Sequence, residues 1–173
     1  SDLHALQTLL PSQVLPANAL ATALAVAAGS SVVFAAVTAL VQRDGKRILA
    51  FSGIGHAAAV LLAIGCGGRD SLAAGAFYLG TYALANAGAF VCLHVLQGRG
   101  TASLDALAGS GKQKPLITAL LCLFLASLAG VPPLAGFLAK WNVLQVAFVR
   151  GLAHDGAPAL AIAALLLVVT TAV

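Results

Sequence analysis

The sequence predicts an all-α fold: a polytopic bundle of about five transmembrane helices, one of them discontinuous. Of the 173 residues, 61% are hydrophobic and only 8% are charged, whereas a soluble domain carries about 25% charged residues. The apolar residues fall into five long stretches, and a helix of about 20 such residues crosses a hydrocarbon core of about 30 Å. The fourth stretch is too long for one crossing and contains a proline pair.

The five stretches make up the predicted membrane domain, residues 17–173. We place the spans at about 17–41, 48–67, 71–96, 115–149 and 157–173. The fourth span contains one charged residue, Lys140, and as a single straight helix its length would be about 52 Å at 1.5 Å per residue. Pro132-Pro133 removes two backbone donors, so we expect the helix to break there, with Gly130 and Gly136 easing the bend.

The segment before the first span, residues 1–16, is too short and too rich in proline to form another one. It also lacks the positive n-region of a signal peptide, and we assign it as an extramembrane or interfacial segment. The sequence contains no Met and its last span stops at Val173 without a polar flank. We therefore expect a piece of a longer protein or a processed chain.

Basic residues between the spans predict the orientation. The loops after the first and third spans carry six, and the opposite side carries two: Arg43, Lys46, Arg47, Arg99, Lys112 and Lys114 against Arg69 and Arg150. By the positive-inside rule the first set faces the cytoplasm or the mitochondrial matrix, and the N-terminus faces the outer side.

Composition and spacing also exclude several classes of function. The net charge of +4 comes from short clusters, and only Trp141 and two Tyr are available to stack on bases, so nucleic acid is not an expected partner. Cys66, Cys92 and Cys122 are too far apart for a metal motif or a disulfide framework. We predict no catalytic residue, no metal site and no redox centre in this chain.

Polar residues inside the second and third spans are candidates for function. Ser52 and His56 lie four residues apart, on one helix face, and His56 is either a packing residue or a group that relays protons. The third span carries a polar and aromatic stripe at steps of four: Tyr78, Tyr82, Asn86, Phe90 and His94. Tyr82 and Asn86 are predicted either to pack against another helix, with Asn86 as the hydrogen-bonding group, or to line bound water.

Lys140 follows the helix break by two turns. One possibility is that its amine reaches the outer interface beside Trp141. The other is that it is buried, where a charge at the bilayer centre costs about 2.5 to 3.5 kcal/mol on insertion scales. A buried lysine that alternates between ammonium and amine can accept and release a proton.

Three motifs resemble the antiporter-like subunits of respiratory complex I, most closely the subunit N (NADH dehydrogenase subunit 2) type. They are Ala39-Leu-Val-Gln42 through Gly45-Lys-Arg-Ile-Leu-Ala-Phe-Ser-Gly-Ile-Gly-His56, Phe77-Tyr-Leu-Gly-Thr-Tyr-Ala-Leu-Ala-Asn86-Ala-Gly-Ala-Phe90 and Ser127-Leu-Ala-Gly-Val-Pro-Pro-Leu-Ala-Gly-Phe-Leu-Ala-Lys140. The likeness covers about residues 30–150. The sequence departs from the pattern at Phe51, Gly53 and Ala57-Ala58, where Tyr, Ser and Leu-Gly are usual.

This resemblance implies a proton-translocating subunit of an NADH:quinone oxidoreductase, in which Lys140 and His56 belong to a mid-membrane relay. The subunit would do no redox chemistry itself, and it would bind no cofactor. NADH, FMN, iron–sulfur clusters and quinone would be held by other subunits. The expected location is the mitochondrial inner membrane or the bacterial plasma membrane.

The implied partners are lipids and other membrane subunits of complex I. They include a chain or a missing segment that supplies the N-terminal antiporter-like helices, with a membrane glutamate and further lysines. Two alternatives stay open at this point. One is a subunit of a cation/proton antiporter or a membrane-bound hydrogenase, and the other is a structural membrane scaffold without a proton path.

Overall fold

The computed structural model describes residues 17–97, 109–152 and 158–171. The regular elements in these ranges are α-helices, which confirms the predicted fold class. They are α1 (Ala17–Leu40), α2 (Gly45–Cys66), α3 (Arg69–Gln97), α4 (Ser110–Gln113), α5 (Pro115–Ala129), α6 (Ala135–Leu152) and α7 (Pro158–Thr171). Residues 1–16 lie outside the described residues, so their assignment as an extramembrane segment stays a prediction.

Among the described helices, α1, α2 and α3 are long and apolar enough to cross a membrane by length and composition. The shorter apolar helices are α5 and α7. The predicted fourth span is present as two helices, α5 and α6, which are separated by residues 130–134. The helix is therefore interrupted at Pro132-Pro133, as the sequence predicts.

The second helix begins at Gly45, three residues before its predicted start. Asp44 is its N-cap, and the Asp44 carboxylate accepts a hydrogen bond of 2.8 Å from the Lys46 backbone N–H, which satisfies a donor that the first turn leaves free. The prediction began the span only after Lys46 and Arg47 because they are charged. Long basic side chains in a first turn can reach water while their backbone is helical.

The bundle is organised around α2, which packs against α1, α3, α6 and α7. Small residues dominate the larger apolar cluster, including Ala28, Ala59, Ala63 and Ala164, and they allow the helices to approach closely. A second cluster joins α2, α3 and α5. Together these contacts place the gap between α5 and α6 beside the middle of α2 and α3.

Candidate functional site

The interruption between α5 and α6 leaves backbone carbonyls in need of donors. Gly130 ends α5 in the left-handed conformation (φ 86°, ψ 37°), and its N–H donates to the carbonyls of Ala126 and Ser127. The N–H of Val131 donates to the same Ala126 carbonyl. Proline has no N–H, so Pro132 and Pro133 cannot donate to the remaining carbonyls at the end of α5.

Lys140 supplies the missing donors. Its Nζ donates to the carbonyl oxygens of Leu128 at 2.7 Å and Ala129 at 2.9 Å, and the residue is only 8% exposed. The amine therefore points into the protein and not toward the interface, although its neighbour Trp141 is exposed. The two carbonyls belong to the C-terminal end of α5, where the last carbonyls of a helix lack intrahelical donors and carry a partial negative charge.

Glycines on both sides of the break make this arrangement possible. A methyl group at position 130 would lie 3.1 Å from Lys140 Cδ and 3.2 Å from its Nζ, so Gly130 provides space as well as a left-handed backbone. A methyl group at Gly136 would overlap the backbone carbonyl of Ser127. The Gly136 N–H also donates to Ser127 Oγ at 3.3 Å. The start of α6 is thus pressed against the last turn of α5.

His56 is held by two tyrosines of α3. Its Nδ1 forms a hydrogen bond of 2.8 Å with Tyr78 Oη, and its ring stacks on Tyr82 with centroids 4.6 Å apart. Both His56 and Tyr78 are buried. Gly53, where the related pattern has Ser, leaves room for Tyr82, because a methyl group at position 53 would lie 2.8 Å from the Tyr82 hydroxyl.

A small cavity brings the histidine and the lysine together. Its volume is about 10 Å³, about the minimum that holds one water molecule. The lining residues come from α2, α3, α5 and α6: His56, Tyr78, Thr81, Tyr82, Ala85, Ser127, Leu128, Gly136, Ala139 and Lys140. Two titratable side chains that are distant in the sequence, His56 and Lys140, therefore border the same small cavity.

An open groove also reaches His56 and Lys140. It has a volume of about 470 Å³ and lies between α1, α2 and α5. Most of its lining is apolar, whereas Gln42, Ser52, His56 and Lys140 are the residues with polar side chains. Ser52 and His56 thus share a face of α2, as their spacing predicts.

The polar stripe of the third span divides between different environments. Tyr78 and Tyr82 line the cavity, and Phe90 packs in the second apolar cluster. Asn86 is half-buried, and its Oδ1 is buried without a hydrogen-bond partner among the described residues. His94 is exposed near the end of α3. Asn86 therefore does not border the cavity that joins His56 and Lys140.

Several members of the site were not identified from the sequence. Tyr78 stands in the predicted stripe, but its pairing with His56 depends on how α3 lies against α2. Ser127 lies in the third motif, but the sequence assigns no role to it. Nothing in the sequence pattern points to Thr81 as a site residue. The carbonyls of Leu128 and Ala129 have no sequence signal at all, because every residue has a carbonyl.

The sequence matches a family of membrane proteins over most of its length. A sequence model of the family described as NADH:quinone oxidoreductase/Mrp antiporter, TM, matches residues 4–168. The chain belongs to this family. It is accordingly an integral protein of an energy-transducing membrane.

Individual relatives of this chain carry the name subunit N. NADH-quinone oxidoreductase subunit N 2 of Acidobacterium capsulatum is 44% identical over 72% of this chain and 25% of its own length. Subunit N of Chloroflexus aggregans is 44% identical over 66% of this chain and 24% of its own length. Subunit N of Chlorobium chlorochromatii is 40% identical over 75% of this chain and 26% of its own length. The chain spans about a quarter of the length of these relatives.

Proposed function

We propose that this chain moves protons within the membrane arm of an NADH:quinone oxidoreductase, and that Lys140 and His56 are its relay residues. The observation that carries the proposal is the place of the Lys140 amine. It is buried at the helix break, and it borders a cavity of about one water volume that His56 also borders.

The bonding of each group leaves capacity for proton transfer. An ammonium has three donors, and Lys140 uses two of them on the carbonyls of Leu128 and Ala129. The third is available to a water in the cavity. The His56 ring has two nitrogens, of which Nδ1 is paired with Tyr78 Oη. Protonation of one ring nitrogen and release from the other is the chemistry that a neutral imidazole supports.

The proton path needs groups beyond the described residues. The two acidic residues described in the structure, Asp44 and Asp70, are an N-cap at the start of α2 and a member of the first turn of α3. The remaining three, Asp2, Asp105 and Asp155, lie outside the described residues. We propose that a helix carrying a carboxylate or a lysine completes the path and packs in the groove between α1, α2 and α5, beside Ser52.

The redox steps belong elsewhere in this proposal. Cys66, Cys92 and Cys122 are free, and within the described ranges no three His, Cys, Asp or Glu side chains come together as a metal site. We expect NADH, FMN, iron–sulfur clusters and quinone on other subunits. The chain would then contribute translocation, as a non-redox part of the enzyme.

The decisive experiment compares Lys140→Ala with Lys114→Ala in the assembled complex. Lys114 is exposed and is the N-cap of α5, at the opposite end of that helix from the cavity residues Ser127 and Leu128, so it controls for loss of a positive charge. In proteoliposomes we expect Lys140→Ala to lose most NADH-driven proton uptake, while Lys114→Ala retains it. Normal uptake by Lys140→Ala would refute the relay role. A complex that exchanges cations for protons but does not oxidise NADH would favour the antiporter alternative.

The missing partner is tested by cross-linking from the groove. A photoreactive side chain at Ala36, which lines the groove, should capture a segment with a membrane-embedded carboxylate or lysine. Capture of lipid alone, or of a segment without a titratable residue, would contradict the proposed completion of the path.

A further inference from the structure

A second polar cleft lies at the opposite end of α6 from the helix break. It has a volume of about 520 Å³ and is formed by the first turns of α3 and the last three turns of α6. Its polar lining residues are Asp70, Ser71, Asn142, Gln145 and Arg150. These residues do not border the Lys140 cavity or the groove, so the cleft is independent of the proposed proton path.

Two opposite charges face this cleft without neutralising each other. Asp70 and Arg150 both line it and both are exposed, yet within the described part of the chain they form no ion pair. The Arg150 guanidinium is positioned over the α2–α3 turn, since a methyl group at Gly68 would lie 2.8 Å from its terminal nitrogen. A separated carboxylate and guanidinium around one volume are complementary to a zwitterion.

The polarity of the cleft changes with depth along α6. At 1.5 Å per residue, Gln145 lies about 7.5 Å and Asn142 about 12 Å below Arg150. Both amides are exposed on a helix of a membrane protein, where an unpaired amide is costly. Leu138 is exposed and lies four residues before Asn142, on the same face of α6. Charges therefore stand above amides, and apolar surface lies below them.

This order matches that of a phospholipid. We propose that the cleft binds a zwitterionic phospholipid with a primary ammonium, a phosphatidylethanolamine. Arg150 donates to the phosphate, Asp70 accepts from the ammonium, and the amides of Gln145 and Asn142 donate to the ester carbonyls. Choline lacks N–H donors for Asp70, and an anionic glycerol headgroup would face the Asp70 carboxylate without a compensating ammonium.

The test measures lipid retention by native mass spectrometry. The assembled, delipidated complex is incubated with equal amounts of palmitoyl-oleoyl phosphatidylethanolamine, phosphatidylcholine and phosphatidylglycerol. We expect the first lipid to be retained about tenfold over the second, in line with one charge-assisted hydrogen bond. Asp70→Asn should abolish that preference and raise retention of phosphatidylglycerol, and Arg150→Gln should lower retention of all three lipids.

Arg69→Gln is the matched control for Arg150→Gln. Arg69 has the same charge as Arg150 and lies beside Asp70, but it does not line the cleft. It should leave the preference unchanged. Equal retention of the three lipids by the parent complex would overturn the proposal. So would an Asp70→Asn complex with an unchanged preference.

A labelling experiment covers the case in which a variant fails to assemble. Gln145→Cys is treated with a membrane-impermeant maleimide in nanodiscs, and its reaction is counted above that of the parent cysteines. Protection in phosphatidylethanolamine discs with reaction in phosphatidylcholine discs supports the proposal. Reaction in both would indicate an aqueous vestibule, and protection in both would indicate a protein partner; either result overturns it.

Discussion

Gly136→Ala tests whether the position of Lys140 matters while its amine is kept, because the substitution changes no titratable group. The added methyl would overlap the Ser127 carbonyl, and a carbon usually approaches such an oxygen no closer than about 3.3 Å. The obstacle is backbone and not the tip of a flexible side chain. We expect α6 to retreat from α5 by roughly 1 Å or more.

Lys140 lies one turn further along the same helix, so it should move with α6. Its bonds of 2.7 Å and 2.9 Å to Leu128 and Ala129 would lengthen to about 3.7 Å to 3.9 Å, beyond hydrogen-bond distance. Overpacking of this kind costs about 1–3 kcal/mol. A misplacement of about 1 Å at a reacting group can lower a rate on the order of 10²-fold.

The assay is NADH-driven proton uptake by proteoliposomes, normalised to the amount of assembled complex. Gly80→Ala is the control, since among the described residues the added methyl meets no atom of another helix within 4 Å and alanine is favoured over glycine inside a helix by about 0.5–1 kcal/mol. We expect Gly136→Ala to lose uptake while Gly80→Ala keeps it. If both complexes assemble and pump alike, the argument that the break positions Lys140 is refuted.

Two further predictions concern the tyrosines around His56. Tyr78→Phe leaves the buried His56 Nδ1 without its hydrogen-bond partner, so we expect a loss of about 1–3 kcal/mol in stability and slower proton uptake. The loss of stability is measured as a lower melting temperature. An unchanged melting temperature would show that this hydrogen bond contributes little. Gly53→Ala should push the Tyr82 hydroxyl off its position and reduce uptake, and adding Tyr82→Phe should restore it because the obstructing oxygen is gone. A double variant as impaired as Gly53→Ala alone would contradict this steric explanation.

The approximate extents of the long helices were predictable because they depend on local properties. Long apolar stretches and the proline pair were sufficient to place α1, α3 and the interruption within a few residues. The predicted start of the second span lies three residues after the observed start of α2. A search for stretches without charged residues does not register that Asp44 caps a helix containing Lys46. Capping is a matter of a few hydrogen bonds, which can outweigh the cost of including a basic side chain at a helix end.

The sequence by itself determined that Lys140 follows a broken helix and that Ser52 and His56 share a helix face. It left open whether the lysine amine reaches the interface or is buried. The tertiary structure decided this, because the partners of Lys140 are backbone carbonyls that are free only where α5 ends and accessible only where α6 folds back onto it. Likewise, the rotation of α3 about its axis decides that Tyr78 pairs with His56 and that Asn86 lies outside the cavity. Spacing along one helix does not specify that rotation; it is set by packing against neighbouring helices that are distant in sequence.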